Sequence, residues 1–122
     1  VHTNFYPYSG SDALWAVIND GSGGSLGESA TGAGLTLITR TAHNVKDGYK
    51  NGITTGTTDI DESVRLPIGT IFFMANNNLQ ASTVERFHPD PIAIALVMDG
   101  ITADDQLILY NIIDHYLAHL GL

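Results

Sequence analysis

Val45-Lys-Asp-Gly-Tyr-Lys-Asn-Gly-Ile-Thr-Thr-Gly-Thr-Thr58 is the stretch whose reading decides the fold. Two β-prone arms, Val45 to Tyr49 and Ile53 to Thr58, flank the turn Lys50-Asn51-Gly52. Asn-Gly between such arms is the strongest short-range hairpin signal, because both central residues of a type I′ turn need positive φ. The expectation is an antiparallel hairpin.

Working outward, Leu35-Thr-Leu-Ile-Thr-Arg-Thr41 alternates, with Leu35, Leu37 and Thr39 on one face and Thr36, Ile38 and Arg40 on the other. Asp12 to Asn19 is apolar and bounded by turn residues, as a strand would be. Between these lie two Gly-rich breaks, Asp20 to Ser25 and Gly27 to Gly34, dense in residues that tolerate turns and lack side chains to bury. They are read as a rim loop, since Gly-Lys-[Ser/Thr] and Gly-x-Gly-x-x-Gly are both absent and no phosphate cradle is suggested. Beyond the hairpin, Leu66 to Ala75 holds Ile71-Phe-Phe-Met, apolar on both faces and so read as a buried strand, stopped by Asn76-Asn77-Asn78. Ile92 to Met98 is read as a second buried strand, approached through Pro89 and Pro91. Strands recurring every ~8–12 residues with turns between them point to an antiparallel sandwich or barrel.

The last twenty residues change period. Thr102-Ala-Asp-Asp reads as a capping box, with Thr102 as N-cap and Asp105 near the positive helix end. Leu107, Tyr110, Ile113, Leu117 and Leu120 recur at steps of three or four, and Leu109, Ile112 and Tyr116 widen that stripe. Asp104, Asn111, His115 and Ala118 fall opposite. Gly121 sits where a C′ glycine belongs. One amphipathic helix over about 103–120 is expected to close an all-β domain.

The composition narrows the functional classes. A chain of 122 residues supports one domain. Only 15% of residues are charged, so the polar surface rests on Ser, Thr, Asn and Gly, a style suited to an extracellular or virion-associated β protein. The formal net charge is -8, with five Lys and Arg spread singly. Phosphate backbones need clustered cations that release counterions, so no nucleic acid partner is expected. The absence of cysteine removes disulfides and thiolate metal sites. No apolar run approaches the ~20 residues that span a bilayer, and the N-terminus lacks signal-peptide architecture, so no membrane partner is expected. A start at Val1 rather than Met suits a processed product or a fragment.

The succession of pieces carries a resemblance. A strand ending in Arg40-Thr41 leads to the Tyr49-x-Asn51-Gly52 hairpin, then to a Pro-led apolar strand ending in Asn-rich sequence, Pro67 to Asn78. Next come Ile92 to Met98, Gly100-Ile-Thr followed by Leu109-Tyr110, and Tyr116-Leu-x-x-Leu-Gly121. From roughly Asp12 to Leu122 this order resembles the C-terminal half of concanavalin A-like lectin/glucanase domains, of the laminin-G-like type found in phage tail proteins and exported bacterial proteins. The resemblance implies a jelly-roll β-sandwich that binds glycans or attaches a larger protein to a surface. Complete domains of this kind are longer, and the strands missing here would be the first ones. Either that part was removed, or another chain supplies it, or this is a smaller sandwich that ends the same way. A half-sandwich leaves edges and apolar faces bare, so a homo-oligomer or a segment from another chain is expected.

Candidate sites follow from residue chemistry. Sugars stack on aromatic faces and hydrogen-bond to Asn, Asp and Arg. The ligand-binding candidates are therefore Tyr6, Tyr8, Trp15, Asn19, Asp20, Asn76, Asn77 and Asn78, with Phe5 beside them. Trp15 also reads as core, and the Asn triplet as a simple turn. Asp20, Asp59 and Asp61 are hard oxygen donors that suit calcium. Catalysis finds less support. A retaining glycosidase needs two carboxyl groups ~5–5.5 Å apart, and Asp59-Ile60-Asp61-Glu62 lacks the Glu-x-Asp-x-Glu style spacing of the family's hydrolases. Tyr49-Lys50 echoes the Tyr-bearing strand of its lyases but is better explained as hairpin. Gly23-Gly24-Ser25-Leu26-Gly27 has the bare Gly-x-Ser-x-Gly spacing, but no Ser-His-Asp constellation has local support around it. His115 and His119 have the i, i+4 spacing that lets two imidazoles meet one metal, though a polar last turn also suits the exposed helix carbonyls. His88 reads as a loop residue. The favoured function is a non-enzymatic carbohydrate-binding or surface-attachment module. The alternatives are a capsid, fibre or filament subunit, and a fragment of a glycan-degrading enzyme whose acids lie in other sequence.

Overall fold

A computed structural model of the chain describes residues 2–6, 12–20, 24–29, 31, 33–58, 76–78, 83–85 and 93–122. Those residues are mostly β, with one C-terminal helix. The strands are β1 (His2–Tyr6), β2 (Ala13–Asp20), β3 (Gly24–Glu28), β4 (Thr36–Ala42), β5 (Val45–Lys50), β6 (Ile53–Thr58), β7 (Asn76–Asn78) and β8 (Thr83–Glu85), followed by α1 (Ala103–Leu120). Three antiparallel sheets result, ordered β1-β2-β3, β4-β5-β6 and β7-β8.

The β5–β6 hairpin forms as its Asn-Gly turn requires: Asn51 has φ 51° and Gly52 φ 78°. Asn51 does more than turn. Its side-chain oxygen accepts from the Leu35 N–H at 3.0 Å, and its own N–H donates to the Leu35 carbonyl at 2.9 Å, tying the turn to the chain that enters β4.

The core lies where the first sheet meets the second. Ile38, Gly48 and Gly56 are register partners across β4, β5 and β6, so one face of that sheet carries a branched residue beside two glycines. Leu14 and Leu26 fill the space: a Cβ on Gly48 would come within 2.7 Å of Leu14 Cδ2 and of Leu26 Cβ. Leu14, Ala16 and Leu26 are fully buried, with Ile38 packed against them. Contact then tightens to backbone on backbone. A Cβ on Gly27, whose φ is 105°, would lie 2.0 Å from the Thr55 carbonyl oxygen, and one on Gly56 would lie 2.7 Å from that of Leu26. Between Gly48 and Tyr49 the register shifts, leaving Thr55 as an extra residue on β6. Such a bulge re-aims a side chain, and the Thr55 hydroxyl donates to the Leu26 carbonyl at 2.7 Å.

Helix α1 has the expected bounds. Thr102 is extended at φ -73° and ψ 168°; its hydroxyl accepts from the Asp105 N–H at 3.2 Å and donates to Asp105 Oδ2 at 2.7 Å. At the far end Gly121 is left-handed. The Gly121 N–H reaches the Ala118 carbonyl and the Leu122 N–H reaches that of Leu117, a Schellman closure. The helix is fastened to the second sheet at two places. Thr39 Oγ1 accepts from the Ile101 N–H at 3.0 Å and donates to the Ile101 carbonyl. Gln106 Nε2 donates to the Gly52 carbonyl at 3.0 Å, and Tyr110 and Leu107 close over Gly52.

Four expectations need correction. First, Gly24 to Glu28 is not loop but strand β3. Its glycines serve close strand packing rather than turning, and the single apolar residue Leu26 is core. Second, Ala93 to Met98 is not a buried strand. No strand among the described residues pairs with it, and Leu96, Val97 and Met98 are 53%, 67% and 48% exposed. Third, the apolar stripe of the helix is buried only along its middle. Gln106 and Ile113 are buried and Leu109, Tyr110 and Leu117 half-buried, whereas Leu107, Ile112, Tyr116 and Leu120 are exposed. The Gln106 bond to Gly52 and the two contacts at Thr39 hold that line against the second sheet. Fourth, Asn76–Asn78 is not a stop but strand β7, its weak β preference offset by pairing with Thr83–Glu85. The expected strand Ile71 to Met74 lies outside the described residues.

Candidate functional site

Strands β1, β2 and β7 gather several of the residues chosen for ligand chemistry. The β1–β2 ladder sets Tyr6 directly across from Trp15, nine residues later in the sequence. It ends at the other side with His2 across from Asp20, so Asn19 and Asp20 close the strand that holds Trp15. Trp15 is half-buried and Phe5 exposed. Strand β7, made wholly of Asn76, Asn77 and Asn78, lies in contact with β1. Pairing thus joins Tyr6 to Trp15 at one end of the β1–β2 ladder and leaves Asn19 and Asp20 at its other end, while the amide strand β7 touches β1 without pairing with it. Residues of these types supply what a neutral polyol needs: stacking surface, and groups that both donate and accept hydrogen bonds.

Strand β2 can hold Trp15 at intermediate depth because its two faces are loaded differently. Leu14 and Ala16 enter the shared core, while Val17 is buried on the side that Trp15 shares. Tyr8 lies outside the described residues, as do Asp59, Asp61 and His88. Asp20 is therefore the one calcium candidate with a described position, and among the described residues no three His, Cys, Asp or Glu gather around a point.

The second sheet carries the perturbed groups. Tyr49 is only 4% exposed, and burial, reinforced by the Asp47 carboxylate, pushes its phenol above the usual range. A buried, more reluctant acid of this kind is a packing residue, in keeping with the hairpin reading. Burial pulls the Lys50 ammonium below its ordinary range, while Lys50 Nζ donates to Thr36 Oγ1 at 2.9 Å. Asp47 Oδ1 accepts from the Thr57 hydroxyl at 2.6 Å.

Two residues escaped sequence reading. Lys46 is wholly buried, in register with Arg40 on one side and Thr58 on the other. A buried ammonium persists only when paired, and both Lys46 and Arg40 are engaged. Arg40 also donates to the His43 carbonyl across the turn that joins β4 to β5. Gln106 is the other; nothing in a helix pattern marks a glutamine as the residue that meets a hairpin turn. On the outer side of α1, Ile112, His115, Tyr116 and His119 line an open recess.

The class these features define is a mostly β protein with a C-terminal helix docked on its second sheet. No family model matches the chain, and neither a curated protein nor a solved structure matches it.

Proposed function

We propose that the protein is a non-enzymatic carbohydrate-binding or surface-attachment module, built as a jelly-roll β-sandwich of the concanavalin A-like kind and working outside the cell or on a virion. What supports the reading is the convergence of β1, β2 and β7. Tyr6 stands opposite Trp15 at one end of the β1–β2 ladder, Asn19 and Asp20 stand at its other end, and the Asn76–Asn78 strand lies in contact with β1. The ligand is a neutral glycan, since a chain of net charge -8 repels polyanions. Trp15 reports on the site directly, being the single tryptophan. A glycan array on the intact protein should give hits that shift Trp15 fluorescence, and Tyr6→Ala should abolish them. An array without hits, or hits indifferent to Tyr6→Ala, refutes the proposal.

A second reading rests on a different observation. Leu96, Val97 and Met98, together with Ile108, Ile112, Tyr116 and Leu120 on α1, are large apolar side chains left exposed. Exposed apolar surface on this scale suits an assembly subunit of a capsid, fibre or filament. Light scattering separates the two: a defined large assembly favours the subunit, and a small species with glycan hits favours the binding module.

A further inference from the structure

We propose that His115 and His119 form a two-imidazole seat for a borderline divalent metal ion such as Zn2+, on the outer face of α1. The site is independent of the glycan-binding region and of the calcium-type donors considered for it.

Helix geometry brings the pair together. Residues four apart on an α-helix are neighbours on one face, with Cβ atoms about 5–6 Å apart. Two imidazoles on such a base can turn their ring nitrogens toward one ion at zinc–nitrogen distances of ~2.0–2.1 Å. Both histidines are exposed, so the rings have rotamer freedom to do so, and both lie within the regular helix Ala103–Leu120. They line a common recess, and its other described walls are Ile112 and Tyr116, one turn of helix away. The overall charge of -8 draws cations toward the molecule.

The ligand type selects the metal. Imidazole nitrogen suits zinc, copper and nickel, whereas calcium and magnesium prefer oxygen. Among the described residues no third His, Cys, Asp or Glu joins the pair. The described residues therefore supply two of the four positions of a zinc tetrahedron, and water or an incoming donor takes the others. An open site of this kind binds reversibly and can accept a ligand from another molecule.

The test is a zinc titration of the full chain, followed through the imidazole ring protons by NMR. His115 and His119 should shift together, and at lower zinc than His2, His43 and His88. Since the second imidazole acts as an intramolecular ligand, His119→Ala should weaken zinc binding at His115 by about tenfold or more. His43→Ala should leave the pair's affinity unchanged. Both histidines are exposed, so helicity by circular dichroism should survive either change. His115 and His119 titrating no more tightly than the other three, or His119→Ala leaving the His115 response unaltered, would overturn the proposal.

Discussion

Two apolar runs look alike in the sequence and end differently in the molecule. Ala13–Asp20 and Ala93–Met98 are both short, both rich in Ala, Val, Ile or Leu, and both bounded by turn-prone residues. The first became β2, paired on both sides by β1 and β3, with Leu14, Ala16 and Val17 fully buried. The second pairs with no described strand and leaves Leu96, Val97 and Met98 largely in solvent. Apolar character supplies the tendency to be buried, but a strand exists only where neighbours complete its hydrogen bonds. The neighbour of β2 is a glycine-rich strand that closes on β6 through Gly27 and Gly56. Among the described residues no comparable strand lies beside Ala93–Met98.

That contrast can be broken most forcefully at Leu14. Leu14→Ala should cost about 3–5 kcal/mol, because the cavity opens among packed neighbours. Leu96→Ala should change stability by about 0.5 kcal/mol or less. Chemical denaturation of both variants checks the pair, and equal effects would erase the distinction between the two runs.

The next effect belongs to the glycine that makes β3 possible. Gly27→Ala places a methyl group against the Thr55 carbonyl at a backbone φ of 105°. It should cost about 2–4 kcal/mol by strain and displaced packing, read as a lowered Tm. Gly34 also has positive φ, but an added Cβ there meets the side chain of Asn51 rather than backbone. Gly34→Ala should therefore be the milder change.

Smaller still is the fastening of the helix. Gln106→Ala leaves the Gly52 carbonyl without its donor and should cost about 1–3 kcal/mol. Gln106→Glu should be worse than Gln106→Ala, since a carboxylate cannot donate. Thermal melts of the two variants rank them.

The least effect is one of pH. Tyr49 is raised in the folded protein, so its contribution is fully present below the unfolded tyrosine value of about 10 and is lost as pH rises through its folded value. Ultraviolet titration should show one of the five tyrosines ionising last, and Tyr49→Phe should remove that step and soften the alkaline loss of stability.

Legibility in the sequence followed the range of the interaction. Local chemistry was readable: Asn51-Gly52 demanded a hairpin, and Thr102, Asp105 and Gly121 delimited the helix, because turns and caps involve residues a few positions apart. What depended on distant partners was not readable. Gly24 to Glu28 looks like loop until Thr55 and Gly56 are set against it. The apolar stripe of α1 gave the helix and the middle of its buried line but not where it docks, which Gln106 and Thr39 settle through contacts 54 and 62 residues away. Lys46 carried no sign of burial. In the candidate ligand region, residue chemistry singled out Tyr6, Trp15 and the Asn triplet, while only the fold could pair Tyr6 with Trp15 and set β7 against β1.

Hydrogen exchange read by mass spectrometry on peptides spanning 13–20 and 93–98 sets the two runs side by side in one experiment. Slow exchange in the first and near-solvent rates in the second are the expected result. Equal protection of both peptides, or protection confined to 93–98, would contradict it.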